Sequence, residues 1–195
     1  MTPSPAGRGR PRDERSGAAI IQAAAELVAE SGYAAMSIGA VAARAGVGKD
    51  TIYRRWSGKP ELVYEAVFTA ADTADVPDTG TLEGDLTAVV QSLVEEFSTP
   101  AATAALPGLL ADFAGTPQLR ATIRTRFLQP AKERLVAVFD RAERRGESGA
   151  DLPVDLVLDT LAGAVFFHLG IIGERPDADL ARRIATMIAK GIEAR

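Results

Sequence analysis

Between residues 82 and 98 the apolar side chains Leu86, Val89, Val90, Leu93, Val94 and Phe97 recur at intervals of three and four, and the same period governs almost every apolar stretch of the chain. Such spacing lines one face of an α-helix, whereas no stretch longer than a few residues alternates as a half-buried strand would. The period predicts an all-α fold, and 195 residues, 47% of them hydrophobic, suffice to bury a sizeable core.

The breaks between helices divide the chain. Ile20, Ala24, Leu27 and Val28 mark a first helix that Gly32 stops. Ser37 is placed to cap a short helix through Ala45, Gly46 breaks it, and a second short helix covers 49–56 with Ile52 as its inward anchor. Two short helices joined by a tight glycine turn form a helix-turn-helix. Lys59-Pro60-Glu61 opens a fourth helix with Leu62, Val63, Ala66 and Val67 on its buried face. The stretch AADTADVPDTG then loses periodicity. The expected organisation is a flexible basic arm over 1–15, an N-terminal helix-turn-helix head over 16–70 and a C-terminal helical body over 71–195. Body helices are expected over 82–98, 106–113, 119–145 with Pro130 kinking or splitting the last of these, 153–172 and 177–193.

Charge follows the same division. Residues 1–60 hold nine basic and five acidic side chains, so the head carries +4 of a chain total of −4 and the remainder carries −8. An acidic chain can still bind nucleic acid when the touching face is basic. Within 49–56, Lys49, Asp50, Thr51, Tyr53, Arg54 and Arg55 fall outside the core pattern; guanidinium, hydroxyl and phenol groups of this kind can read a major groove or hold phosphates.

Several chemistries are excluded. The segment GVGKDT resembles a phosphate-binding loop, but Ala43 stands where its first glycine must be and Asp50 where a hydroxyl must meet Mg²⁺. There is no cysteine, and His168, the single histidine, has no partners at ligand spacing, so no metal, cofactor or catalytic residue is assigned. No Gly-x-Ser-x-Gly elbow occurs. The N-terminus lacks the apolar core of a signal peptide, and the longest apolar run, 161–173, contains His168 and is too short to span a bilayer, so a cytoplasmic, non-membrane protein is expected.

The segment MSIGAVAARAGVGKDTIYRRWSGKPELVYEAV resembles the signature of the TetR (tetracycline-repressor-like) family of transcriptional regulators, and residues 16–68 resemble that family's DNA-binding head. The segment TIRTRFLQPAKERLVAVFDRAERRGE and the last two helices are similar to a regulatory-domain type of the family. The resemblance implies that Ser37 and Lys59 clamp phosphates, that Thr51, Tyr53 and Arg55 face the groove, and that Lys49 and Arg54 flank them. Gly48 stands where the family often has serine, which removes one side-chain contact and leaves a backbone amide. It further implies a homodimeric repressor released from a palindromic, double-stranded operator by a small-molecule effector.

Three further assignments complete the expectation. Arg10 and Arg12, in the RGRPR stretch that begins at Arg8, suit a narrow minor groove, and equally a solubilising tail. Phe97, Phe113, Phe127 and Phe166 are candidate linings of a largely apolar effector pocket, with His168, a core or interface histidine on the plain reading, as its polar anchor. Leu158, Leu161, Val165 and Leu169 mark one apolar stripe, which Phe167 and Ile171 widen beyond one core contact, so this helix must bury two sides; with Leu180, Ile184, Met187 and Ile188 of the last helix it is expected to form a four-helix dimer interface. The rival reading is a helical ligand-binding or scaffolding protein without DNA function, which would not need the basic head.

Overall fold

The computed structural model describes residues 10–68, 76–149 and 152–192, and every regular element among them is helical. The first four helices are α1 (Arg10–Ala35), α2 (Ile38–Ala45), α3 (Lys49–Tyr53) and α4 (Lys59–Phe68). After them come α5 (Leu82–Phe97), α6 (Pro100–Gly115), α7 (Pro117–Ile123) and α8 (Gln129–Arg145), then α9 (Val154–Phe166) and α10 (Leu180–Ile192). Wider π turns, Arg124–Leu128 and Phe167–Ile172, precede α8 and follow α9.

Helix α1 begins earlier than expected. It takes in Arg10 and Arg12, which the sequence assigned to a flexible arm, while Arg8 lies outside the described residues. Pro11 is tolerated in a first turn, so the backbone permits the extension. Gly32, at φ 80 and ψ 164, interrupts the helix where predicted and turns Tyr33 inward.

Two cores form. Ile20, Val28, Val41, Ile52, Trp56, Leu62 and Val63 build the first, between α1, α2, α3 and α4. Ala102, Ala105 and Leu109 of α6 join it, so a helix assigned to the body by sequence packs on the head. Helix α6 is also longer than the 106–113 expected, because Pro100 starts it and Thr99 caps it, accepting from the Ala102 amide at 3.1 Å. Leu82, Leu86, Val90, Val138, Leu161, Val165, Leu180 and Ile184 belong to the second core, between α5, α8, α9 and α10.

Pro130 acts as predicted, by a specific route. It offers no N–H to the carbonyl of Arg126, four residues earlier, and its ring crowds that carbonyl. The chain widens into the π turn, in which the Gln129 amide donates to the Arg124 carbonyl.

The second core takes up most of the residues expected at a dimer interface. Leu158, Leu161, Val165 and Ile184 are buried within the single chain, and Leu169 and Ile188 pack partly against the same core. Met187, Phe167 and Ile171 of the expected set are exposed. On α9 and its π turn, the exposed large apolar residues are Leu156, Phe167, Ile171 and Ile172. The membrane argument changes too: α9 and its π turn form 19 helical residues, Val154–Ile172, long and apolar enough to cross a bilayer by length and composition. One face of that stretch packs on α5, α8 and α10, and the opposite face is exposed.

Candidate nucleic-acid interface and central cavity

Ser37 sits in extended backbone before α2, and its Oγ accepts from the Ala40 amide at 3.2 Å. Gly46, in the left-handed region at φ 66, ends α2; its amide donates to Ala43 and the Val47 amide to Ala42, a glycine-type C-cap. Gly48 then starts α3 in extended backbone with no side-chain cap. The turn is fixed by the left-handed Gly46, and Ile52, fully buried, locks α3 onto the head core.

The exposed surface of this unit carries Gly48, Lys49, Asp50, Tyr53 and Arg54, with Thr51 half-buried beside them. Tyr53 is 54% exposed although aromatic, with its ring outside the core. Lys49 folds its stem over Gly39: a β-carbon at that glycine would lie 3.2 Å from Lys49 Cε, 3.5 Å from its Nζ and 3.8 Å from Ser37 Oγ. The ammonium and the hydroxyl thus converge on one spot at the start of α2.

Two expected contacts are otherwise engaged. The Arg55 guanidinium lies against Gly17 of α1, so close that an added methyl there would collide with it. It braces α3 against α1 instead of pointing outward. Lys59 starts α4 half-buried; its Nζ donates to the Ala34 carbonyl at 3.2 Å and stands 4.4 Å above the Tyr33 ring. Burial lowers the Lys59 pKa, and Asp112 opposes that shift. The Tyr33 hydroxyl donates to Asp112, and burial together with that carboxylate pushes its pKa up.

A cavity of about 380 Å³ lies between the cores. Phe97, Phe113, Phe127 and Phe166 line it, and Tyr64 and Phe68 of α4 join them. These six rings form one contiguous chain: Tyr64 stands 5.6, 6.1 and 5.3 Å from Phe68, Phe113 and Phe127, and Phe97 stands 5.1 Å from Phe68 and 6.4 Å from Phe166. The polar lining is sparse and comprises Ser92, Glu96, Lys132, Arg134 and Asp159. Lys132 is engaged by Asp159 at 2.7 Å and Asp155 at 3.5 Å. His168 is absent from the lining, a correction to its expected role: it lies in the π turn beyond α9, past the last lining residue, Phe166.

The sequence reading missed an inter-helix cluster around Arg126. Its Nη1 donates to the Arg55 carbonyl at 2.9 Å and to Glu61, and its Nη2 donates to Glu65 at 3.0 Å. Glu61 also accepts from the Ser57 amide at 2.8 Å and hydroxyl at 2.6 Å, and Glu65 accepts from the Trp56 indole at 2.7 Å. Burial would raise the Glu61 pKa, but Ser57 and Arg126 together hold it below its ordinary value of 4.5. Two glutamates four apart in a helix with a buried face were the available signal.

A family model described as bacterial regulatory proteins, tetR family, matches residues 20–66, and another, described as tetracyclin repressor-like, C-terminal domain, matches residues 76–188. The chain is 31% identical over 192 residues to the uncharacterized HTH-type transcriptional regulator YdeS of Bacillus subtilis, across 96% of this chain and 94% of that one. It is 32% identical over 176 residues to the DNA-binding transcriptional repressor TetR of Mycobacteroides abscessus, across 89% and 92% of the two chains. The solved structure of the TetR family transcription regulator SCO0332 superposes with a TM-score of 0.74 at 26% identity, covering 92% of this chain and 100% of the other.

Proposed function

The chain belongs to the TetR family and is a helix-turn-helix transcriptional regulator, and from that premise we propose that it is a cytoplasmic homodimeric repressor that leaves a palindromic operator when an apolar small molecule fills its cavity. The observation that carries this reading is that one helix, α4, serves both sites. It starts at Lys59, beside the reading face, and ends with Tyr64 and Phe68 in the cavity wall. Ser37, Lys49 and Lys59 hold phosphates, Gly48 offers its amide, and Thr51, Tyr53 and Arg54 reach the groove, while Arg55 supports them from behind. In a two-fold dimer the two α3 helices must enter successive major grooves, roughly 34 Å apart. A ligand that moves Tyr64 therefore moves the start of α4 and alters that separation.

The aromatic walls and the internally paired Lys132 favour a largely apolar, ring-containing effector of drug size. To release DNA it must prefer the DNA-incompetent state; a preference of ~10²-fold, about 2.7 kcal/mol, almost fully shifts an evenly poised equilibrium. The test has two stages. Enrichment of a palindromic duplex from a random pool by the purified protein is the expected first result, and failure to enrich any duplex would refute the operator reading. A thermal-shift screen of apolar and anionic compounds follows, each hit being tested for release of that duplex. Stabilisation and release by anionic compounds alone would overturn the apolar effector and leave the repressor standing.

A further inference from the structure

We propose that Arg126 is a positioning residue for DNA recognition: from the body side of the molecule, its guanidinium holds the C-terminal end of the recognition helix α3 and ties it to the cavity wall. This rests on the DNA-regulator reading above and adds a second path by which the cavity reaches α3, through the π turn and Arg126 as well as along α4.

One planar group spans acceptors on two elements. The Arg55 carbonyl lies just past α3, among the helix-end carbonyls that lack intrahelical partners, and Arg126 supplies a donor at 2.9 Å. The same guanidinium donates to Glu61 and Glu65, which hold Ser57 and Trp56 of the α3–α4 connection. Residues 55–57 are thus held, directly or through one carboxylate, by one side chain 70 residues away in sequence. A fixed fork with several donors suits this task, where a single ammonium does not.

The other end of the arrangement faces the cavity. The Arg126 guanidinium carbon stands 5.1 Å from the centre of the Phe127 ring, and Phe127 lines the cavity against Tyr64. Both residues lie in the π turn Arg124–Leu128, which Pro130 keeps wide. A displaced Phe127 ring therefore carries the guanidinium with it, and the end of α3 loses its tether.

The experiment uses the full chain, a duplex enriched by the wild type and an unrelated duplex of equal length. Arg126→Gln should lower the preference for the enriched duplex by tenfold or more while leaving the salt dependence of binding unchanged, since no phosphate contact is removed. Arg126→Lys keeps the charge beside Glu61 and Glu65 and protects the fold, so a charge-balancing role alone would be rescued by it. Positioning predicts only partial rescue. Amide hydrogen exchange adds a readout that needs no DNA: both substitutions should accelerate exchange over 52–58 together with 124–128, ahead of the remaining core. Wild-type preference and wild-type exchange over 52–58 in Arg126→Lys would overturn the proposal, even if Arg126→Gln does not fold. If the wild type enriches no duplex, the operator reading is what fails, and the exchange comparison still decides whether Arg126 holds α3.

Discussion

Lys59 shows how a single side chain can belong to a core and a binding face at once. Its stem is half-buried over Tyr33, its ammonium reaches Ala34 O, and the same ammonium sits at the start of α4 where a phosphate would dock. If it contacts phosphate, Lys59→Ala should weaken binding to all duplexes about equally and reduce the salt slope by about 1, whereas Tyr53→Ala should act on preference between sequences. Titration of operator and unrelated DNA at several salt concentrations separates the two; an unchanged slope for Lys59→Ala would make it a strut only. Glu61 gives a pH prediction. Its folded pKa lies below the unfolded value near 4.5, so its stabilising contribution is present above that value and is lost as pH falls through the folded pKa. Glu61→Gln should lower the melting temperature at pH 7 and flatten its dependence on pH below about 5, as read by circular dichroism. Ile52 as the inward anchor was legible, because burial follows helical period. The engagement of Lys59 and of Arg55 was not, because their partners, Ala34 and Gly17, are fixed by how helices cross.

At the scale of elements, the helix-turn-helix was readable almost to the residue, since Ser37, Gly46 and Gly48 act locally through capping and backbone freedom. The prediction here concerns Gly48. Its backbone, at φ −77 and ψ 150, already suits a capping residue, and a β-carbon there meets nothing within 4 Å. Gly48→Ser should stabilise the chain by about 0.3 kcal/mol, the usual few tenths between glycine and a hydroxyl cap. Gly46→Ala, at φ 66, should destabilise it by about 1 kcal/mol. Chemical denaturation of the two variants checks both signs: a Gly46→Ala that is not destabilised would mean that the turn does not depend on its left-handed glycine, and a destabilised Gly48→Ser would mean that the cap position does require glycine. The attachment of α6 to the head was less legible. Its apolar residues point to a core, but periodicity does not say which core, and the choice is made by Gly108, where any side chain would collide with the Tyr33 ring. The π turn ahead of Pro130 is similar: the sequence marks a disturbance and the tertiary contacts of Arg126 select its form.

On the scale of the whole molecule, the apolar surface left over by folding decides how copies associate. Leu156 and Met187 are each 63% exposed, Phe167 56% and Ile171 55%. Leu156, Phe167 and Ile171 lie on the helical stretch from 154 to 172, with Thr160 and Gly163 also on its exposed side, and Met187 lies on α10, which packs beside α9. These residues lie outside the face that builds the second core, which is why one stretch carries enough hydrophobicity to satisfy a membrane criterion while serving a folded bundle. We propose that these exposed apolar residues form the interface between two copies. A two-fold pairing of α9 and α10 would bury each copy's set against its mate's and fix the spacing of the two reading heads. The residues to alter are therefore the exposed ones and not the originally expected Leu161 or Val165, whose loss would open the chain's own core. Phe167→Glu combined with Met187→Lys should leave helical content intact, because neither side chain is buried within one chain. In sedimentation at micromolar concentration the wild type should run as a dimer and the double variant as a monomer. The variant should also bind a palindromic duplex no more tightly than a single half-site, since each head would then dock alone. A double variant that remains dimeric would move the interface elsewhere on the body; a monomeric wild type would remove the two-fold arrangement on which operator recognition by paired heads depends.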